Sequence, residues 1–291
     1  MRFSYAESMT DPSFYPPLAR AAEDAGYDSM VIPDSICYPA ASDSVYPFNP
    51  DGSREFLEDK PFLEPFSLIP LLGCVTSRLR FITFVLKLPL RHPVLVAKQV
   101  TSTAVLTGNR LVLGVGTSPW REDYEVLGVP WQRRGVRMDE ELAILRGLSA
   151  GGYFEFHGEV FDIPAIKLSP VPTQPVPVLI GGHAEAALRR AAVAGDGWLH
   201  GGGNPADLPG LLARLAELRR EHGTAERPFE VHVISMDAYS AAGIKRLAEQ
   251  GVTDVIVGFR WPYHVGPDTE PLQTKLDKLR KYADDVIVKV R

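Results

Sequence analysis

The sequence predicts a (β/α)8 barrel, the TIM-barrel fold class, and three observations support that prediction. Short apolar, β-branched runs recur along the 291 residues, and each is followed by an amphipathic segment. Strands that alternate with helices indicate a parallel sheet. Eight such units can be counted, and they fit the usual barrel length of about 250 residues plus insertions. Because no linker-like stretch divides the chain, we predict one domain over residues 1–291 rather than an open, doubly wound sheet.

The first four units fill the amino-terminal half. Their predicted strands are residues 2–6, 28–33, 79–88 and 110–116. Their predicted helices are residues 14–26, 63–76, 92–108 and 134–148. Pro16 and Pro17 stand in the first turn of the first helix, and Gly26 and Gly108 close two helices, as is common at helix ends. A long loop, about residues 34–61, follows the second strand.

The last four units follow an irregular stretch. Residues 151–175 break the alternation, and we predict an insertion there, either a hairpin or an irregular excursion. The later predicted strands are residues 176–180, 197–202, 229–235 and 253–259. The later predicted helices are residues 183–195, 205–223, 241–251 and 271–284. Active sites of such barrels lie where the strands end, so the residues after each strand are the ones to inspect.

Composition and charge exclude several partners. The chain is 45% apolar and 23% charged, with a net charge of -5, which argues against a nucleic-acid partner. No apolar run reaches the roughly 18 residues of a membrane span, and the start lacks a signal-peptide core. Cys37 and Cys74 form no disulfide framework. We therefore predict a cytoplasmic protein with a small-molecule substrate and no membrane partner, and leave a homodimer open.

The stretch VLIGGHAEAALRRAAVAGDGW, residues 178–198, runs from a strand through Gly181 and Gly182 directly into a helix. Glycines let a backbone approach a ligand closely, and the N–H groups at a helix start attract phosphate. His183 can add a donor or a charge. A tight turn that requires a positive φ explains the glycine pair equally well. The other glycine-rich strand end, residues 114–116, lacks the G-x-G-x-x-G dinucleotide fingerprint.

The residue types at the strand ends favour a planar cofactor over side-chain chemistry. The histidines are dispersed and no G-x-S-x-G elbow occurs, so we predict no metal and no serine nucleophile. Asp34 directly follows a strand and can bond a ligand or cap loop backbone. Aromatic residues gather at the same end: Tyr38, Trp120, Tyr124, Trp198, Phe259, Trp261 and Tyr263. Each alone is explained by packing, but as a set they favour a flat ring ligand that carries the chemistry.

Three stretches together resemble the bacterial luciferase-like family of flavin- or deazaflavin-dependent (β/α)8 oxidoreductases. They are residues 18–35, 88–148 and 175–198. The middle stretch is the most specific, because a proline-arginine-proline strand end, a Gly-Asn-Arg turn and a Gly-Val-Gly strand coincide there with a following Arg…Asp-Glu helix. The resemblance spans about residues 14–198 and is closest to the actinobacterial type that uses coenzyme F420. It implies the same barrel fold and an oxidoreductase activity.

The resemblance also implies a cofactor site. The glycine junction is expected to receive the phosphate of the cofactor side chain, with Asp34 near the ring. A non-proline cis peptide, here Phe84–Val85, is expected at the end of the third strand, as a bulge behind the ring. The residues expected to bind the cofactor are Asp34, Phe84, Val85, Gly116, Thr117, Gly181, Gly182, His183 and Ala184.

The chain departs from the F420-dependent glucose-6-phosphate dehydrogenases at two places. Their catalytic histidine corresponds to Ser35 here, and their glutamate corresponds to about Pro119, so their substrate is not carried over. Arg121 can bind an acidic substrate group or reach solvent. The remaining catalytic candidates are Asp34, Tyr38, Trp120 and Arg121.

The leading prediction is hydride transfer between F420 and an unidentified small organic substrate. An FMN-dependent monooxygenase and a cofactor-binding protein without turnover are the alternatives.

Overall fold

Eight parallel strands close into a barrel in a computed structural model that describes residues 1–46, 49, 51–260 and 263–291. Strands β1 to β8 are Arg2–Ala6, Ser29–Ile32, Arg80–Thr83, Leu111–Gly116, Val178–Gly181, Gly197–Leu199, Glu230–Val233 and Asp254–Val257. Each strand pairs with its neighbours in the chain, and β8 closes on β1 with Asp254 opposite Arg2. The closed parallel barrel confirms the predicted fold class.

Helices cover the outside of the barrel. Helices α1 to α9 are Tyr15–Asp24, Pro65–Val75, Pro93–Leu106, Arg121–Val126, Arg134–Ser149, Glu185–Ala194, Leu208–Glu221, Ala241–Glu249 and Leu272–Tyr282. Several begin where the sequence supplies a cap: the Glu64 side chain accepts from Ser67 N–H before α2, and Ser240 accepts from Gly243 N–H before α8. Helix α4 was not predicted, because six residues are too few to show a helical period. In the described part of the chain, no helix is long and apolar enough to cross a membrane.

The inside of the barrel is filled by side chains rather than open. Six buried apolar residues from six strands form one cluster: Val31, Ile82, Val112, Leu179, Leu199 and Ile256. All six residues of β4 are buried, as expected for a parallel sheet that is covered on both faces. Any ligand therefore has to bind above this plug, at the carboxyl ends of the strands.

The predicted insertion is a two-stranded antiparallel hairpin outside the barrel sheet, formed by Phe154–His157 and Asp162–Ile166. It packs on α3 and α5 through a small apolar cluster. The Glu140 carboxylate accepts backbone N–H groups at the hairpin turn, from Val160 and Phe161 among others. The hairpin thus belongs to the outer layer, and the strand alternation resumes at β5.

The amino ends of the strands carry a charged network. Asp254 pairs with Arg2 at 2.7 Å, and Glu230 pairs with Arg80 at 3.0 Å. His232 is fully buried between both carboxylates. Glu230, His232 and Asp254 also lie close enough together to hold a metal ion, but both carboxylates are already neutralised by guanidinium groups. We interpret this cluster as an ion-pair network at the end of the barrel opposite the candidate site.

Candidate active site at the barrel mouth

The sequence predicts one continuous strand over residues 79–88, but the observed strand β3 is shorter. It stops at Thr83, and the chain resumes as a two-residue strand, Leu86–Lys87, after a cis peptide between Phe84 and Val85. The cis bond is confirmed where the resemblance placed it. Phe84 and Val85 pack on the apolar cluster inside the barrel, so this bulge forms the floor of the mouth.

Two of the predicted cofactor-binding glycines lie against the bulge. A Cβ on Gly181 would lie 2.8 Å from Val85 Cγ1, and a Cβ on Gly116 would lie 2.9 Å from Val85 Cγ2. Real Cβ atoms do not approach other carbon atoms so closely. The absence of side chains at the ends of β4 and β5 is therefore required by Val85 itself.

The glycine junction after β5 has the geometry of a helix start with an exposed backbone. Gly182 has a φ of +121°, and a Cβ there would lie 3.0 Å from Ala187 Cβ. The Trp198 indole donates to the Gly182 carbonyl at 2.8 Å, which fixes the turn. Helix α6 begins at Glu185 with Ala184 as a cap that offers no side-chain bond. The first N–H groups of a helix have no intrahelical acceptors, so this turn can bind an anion.

Two stacked histidines lie beside the junction. The rings of His183 and His200 are 4.6 Å apart, the Gly201 N–H donates to His183, and His200 Nδ1 bonds the Ile234 carbonyl. Burial lowers the pKa of both, and for His200 burial and the neighbouring His183 lower the pKa to about 4. Both rings are neutral near pH 7, so an anion here would be held by backbone N–H groups.

A second glycine run, Gly201–Gly203, follows β6 next to this turn. Gly202 and Gly203 have φ values of 90° and 96°, so this loop also brings exposed backbone to the junction. Strand β6 is paired with β5, which places the two loops side by side. The sequence prediction named only the first glycine pair, although the triple glycine was the signal for the second.

Asp34 is held inside the protein rather than presented to the mouth. Its two carboxylate oxygens accept from the Arg91 guanidinium at 2.8 and 2.9 Å, and Oδ2 also accepts from the Lys87 N–H. A bidentate pair of this kind is the strongest arrangement available to the two groups. Asp34 therefore joins the end of β2 to the segment after β3, and its carboxylate is committed to Arg91.

A cavity of about 290 Å³ opens next to Asp34. Its lining residues are Ser35, Ile36, Cys37, Tyr38, Pro39, Arg54, Leu57, Asp59, Lys60, Phe62, Trp120 and Asp123. Of the catalytic candidates, Tyr38 and Trp120 line it. Arg121 does not, because its side chain is 63% exposed and pairs with Glu125 one helical turn away. Arg54 and Asp123 also line the cavity but were not among the predicted site residues, because Arg54 lies in the middle of a long loop and Asp123 lies within α4.

Asp123 belongs to a buried polar cluster at the cavity wall. Its Oδ2 pairs with Lys87 Nζ at 2.6 Å and accepts from the Ser118 hydroxyl at 2.9 Å. The Trp120 N–H donates to the same hydroxyl at 3.1 Å. Asp123 Oδ1 makes no hydrogen bond to any residue in the described ranges. This arrangement holds a carboxylate in place with one oxygen available to a ligand.

Aromatic rings from three loops pack against one another beside the cavity. Tyr46 stacks on Trp120 with centroids 5.9 Å apart, and Phe56 stacks on Tyr263 at 5.6 Å. Tyr46 and Phe56 meet edge to face, which joins the two pairs. Of the predicted aromatic set, Tyr38 and Trp120 line the cavity, Tyr263 stacks on Phe56, and Trp261 lies outside the described residues.

The other three aromatic residues support the loops. Tyr124 is fully buried, and its hydroxyl donates to the Thr117 carbonyl, which fixes the turn after β4. Trp198 is also fully buried and holds Gly182. Phe259 packs on Tyr5 below the mouth. These rings position the site without forming its surface.

Comparison with known proteins agrees with this geometry. The family model described as luciferase-like monooxygenase matches residues 4–280. An uncharacterised protein of Mycobacterium tuberculosis is 64% identical over 290 residues, all of both chains. An F420-dependent glucose-6-phosphate dehydrogenase of Nakamurella multipartita is 31% identical over 217 residues, 72% of this chain and 58% of that protein.

Among solved structures, the monooxygenase RslO1 of Streptomyces bottropensis shares the fold, with a TM-score of 0.78 over all of both chains at 14% identity. The match of the family model extends through all eight strands of the barrel. The chain therefore belongs to the luciferase-like monooxygenase family, and it is an oxidoreductase of that family.

Proposed function

We propose that this protein transfers hydride between the deazaflavin F420 and a small organic substrate at the carboxyl-terminal mouth of the barrel. The observation that carries the proposal is the pair of glycine loops after β5 and β6. Because Gly182 has no side chain, it leaves a cradle at the start of α6. A Cβ at Gly182 would occupy this cradle and would lie 3.0 Å from Ala187 Cβ. This cradle fits a phosphate on a cofactor side chain. The F420-dependent relative supports the choice of deazaflavin.

The residues of the mouth have separate tasks in this proposal. The backbone from Gly182 to Glu185 would bind the phosphate, and Val85 would support the ring from below. F420, when bound, supplies hydride chemistry at its ring. The apolar floor and the neighbouring aromatic rings exclude water from the reacting groups. Thr117 and Gly116 stand at the same rim.

Asp123 is the best-placed group to move a proton. When an alcohol and a ketone interconvert, a proton leaves or joins the substrate oxygen as the hydride is transferred. Asp123 Oδ1 makes no hydrogen bond to the part of the chain that the structure describes, while Oδ2 is held by Lys87 and Ser118. We therefore propose Asp123 for the acid–base role, for which the sequence offered no residue.

Titration with each cofactor tests the proposal. We expect F420 to bind tightly, as measured by its fluorescence, and FMN to bind at least tenfold more weakly, about 1.4 kcal/mol. Equal binding of FMN, with oxygen consumption on addition of reduced flavin, would instead establish the flavin monooxygenase that the family description favours. Binding of neither cofactor would reject both.

A further inference from the structure

Arg54 is a buried cation that pairs with no acidic residue among those the structure describes. The residue is 9% exposed and lines the cavity, with its guanidinium 4.7 Å from the centre of the Tyr38 ring and 5.9 Å from that of Trp120. Within the described residues, the guanidinium donates one hydrogen bond, to the Pro39 carbonyl at 3.2 Å. In the ranges that the structure describes, no carboxylate lies within ion-pair distance of it. Buried charges are normally paired, so this guanidinium is prepared for a partner that comes from outside.

The remaining charges of the cavity do not supply that partner. The Asp123 carboxylate is already paired with Lys87 at 2.6 Å, and Asp59 is exposed. The Lys60 ammonium donates to the carbonyls of His264 and Gly266. Of the charged groups in the lining, Arg54 is therefore the buried cation that no described carboxylate neutralises.

We propose that this cavity takes an anionic substrate, whose carboxylate or phosphate is bound by Arg54. The inference rests on the proposed function and names the class of its substrate. The planar guanidinium offers paired N–H donors that match a carboxylate or a phosphate. Tyr38 and Trp120 hold the guanidinium plane by stacking, so the donors are oriented before a ligand arrives.

The apolar residues of the lining indicate what the rest of the substrate is like. Ile36, Leu57 and Phe62 contribute apolar surface to the same cavity. A compact organic acid or phosphate ester with an apolar body fits this lining: the anion contacts Arg54, and the hydroxyl or carbonyl to be oxidised or reduced meets Asp123. A neutral molecule of the same shape would leave the guanidinium without a partner.

Three probes of similar size test the charge requirement: benzoate, phenyl phosphate and neutral benzamide. Binding is measured by ligand-observed NMR and calorimetry, with and without saturating F420. We expect at least one of the two anions to bind roughly tenfold more tightly than benzamide, and the preferred one identifies the anion class. Anions that bind no more tightly than benzamide would overturn the proposal. Loss of the preference when F420 is bound would also overturn it, because Arg54 would then serve the cofactor.

Matched variants assign the effect to Arg54. Arg54→Met should abolish the preference for the anion, and Arg54→Lys should retain part of it. Arg121→Met is the control, since Arg121 is an exposed arginine next to Trp120 but outside the cavity, and it should leave the preference unchanged. Circular dichroism checks that each variant is folded. An unchanged preference in both folded Arg54 variants would refute the assignment.

The same measurements separate this proposal from the proposed function. An anion preference that depends on Arg54, in a protein that does not bind F420, would leave the anion site standing and reject the deazaflavin chemistry. Tight F420 binding without an anion preference would support the deazaflavin chemistry and reject the anion site.

Discussion

Replacement of Gly181 by alanine tests whether the mouth is built around Val85. The new Cβ would lie 2.8 Å from Val85 Cγ1 and 3.5 Å from the Val115 carbonyl oxygen. Gly181 ends β5 with a φ outside the left-handed region, so an alanine adds a steric contact and no backbone strain. Overpacking of a buried site costs about 1–3 kcal/mol. We expect Gly181→Ala to lower the free energy of unfolding by that amount.

A double-mutant cycle isolates the contact. Val85→Ala alone removes two methyl groups and should cost up to about 1.6 kcal/mol, at about 0.8 kcal/mol for each fully buried carbon, since Val85 is only partly buried. In the double variant the shortened side chain makes room for the new methyl group. The combined loss should therefore be smaller than the sum of the single losses by about 0.5–3 kcal/mol.

The assay is urea unfolding followed by circular dichroism. Gly210→Ala serves as the control, because a Cβ at that position in α7 meets no atom within 4 Å. It should be neutral or stabilise the protein by up to about 1 kcal/mol, the difference in helix propensity. Additive losses in the cycle, or a Gly181→Ala protein as stable as the wild type, would refute the packing role of Val85.

Three further predictions concern single side chains. Gly182→Val should weaken F420 binding by at least tenfold, about 1.4 kcal/mol, because a β-branched residue is strained at a φ of +121° and fills the cradle; calorimetry on folded protein checks this. Asp34→Ala should cost about 3–5 kcal/mol in urea unfolding, because it leaves Arg91 buried and unpaired. The wild type should lose stability as the pH rises from 5 to 9, because burial raises the pKa of Glu141 to about 9 despite Arg137 nearby. Glu141→Gln should remove this pH dependence.

The sign of the last prediction follows from proton binding. The unfolded chain releases the Glu141 proton above its ordinary pKa of 4.5, while the folded protein keeps it until about pH 9. Wild-type stability from this group is therefore fully present below pH 4.5 and falls as the pH rises, by at most about 1.4 kcal/mol per pH unit. Parallel pH profiles of the wild type and Glu141→Gln would contradict the role given to Glu141. An Asp34→Ala protein as stable as the wild type would contradict the role of the Asp34–Arg91 pair. A Gly182→Val protein that binds F420 as tightly as the wild type would contradict the role of Gly182.

The order of strands and helices could be predicted because each barrel unit repeats the same local signals. Strand β1 is found where the apolar run places it, and α5 differs by one residue from its prediction. The break in β3 was not visible in the apolar pattern, which runs without interruption over residues 79–88. Only the resemblance to a family placed a bulge at Phe84–Val85, and the structure confirms it.

The candidate site was harder to predict because its charged residues come together only in three dimensions. Lys87 and Asp123 are 36 positions apart and meet through the turn at Ser118. Arg91 appeared in the sequence as part of a family motif, but nothing local showed that it binds Asp34. Arg54 lies in the middle of a long loop, where no hydrophobic period indicates which side chains point inward.

Ten of the twelve residues that line the cavity come from one stretch of chain, the loop between β2 and α2. The glycine loops that we assign to the cofactor follow β5 and β6, more than a hundred residues later. In our two proposals, substrate choice and cofactor choice are thus encoded in separate segments of the chain. A chimera that receives this loop from a relative should acquire the relative's substrate while retaining its own cofactor, so a family of this kind can diversify by changing one loop.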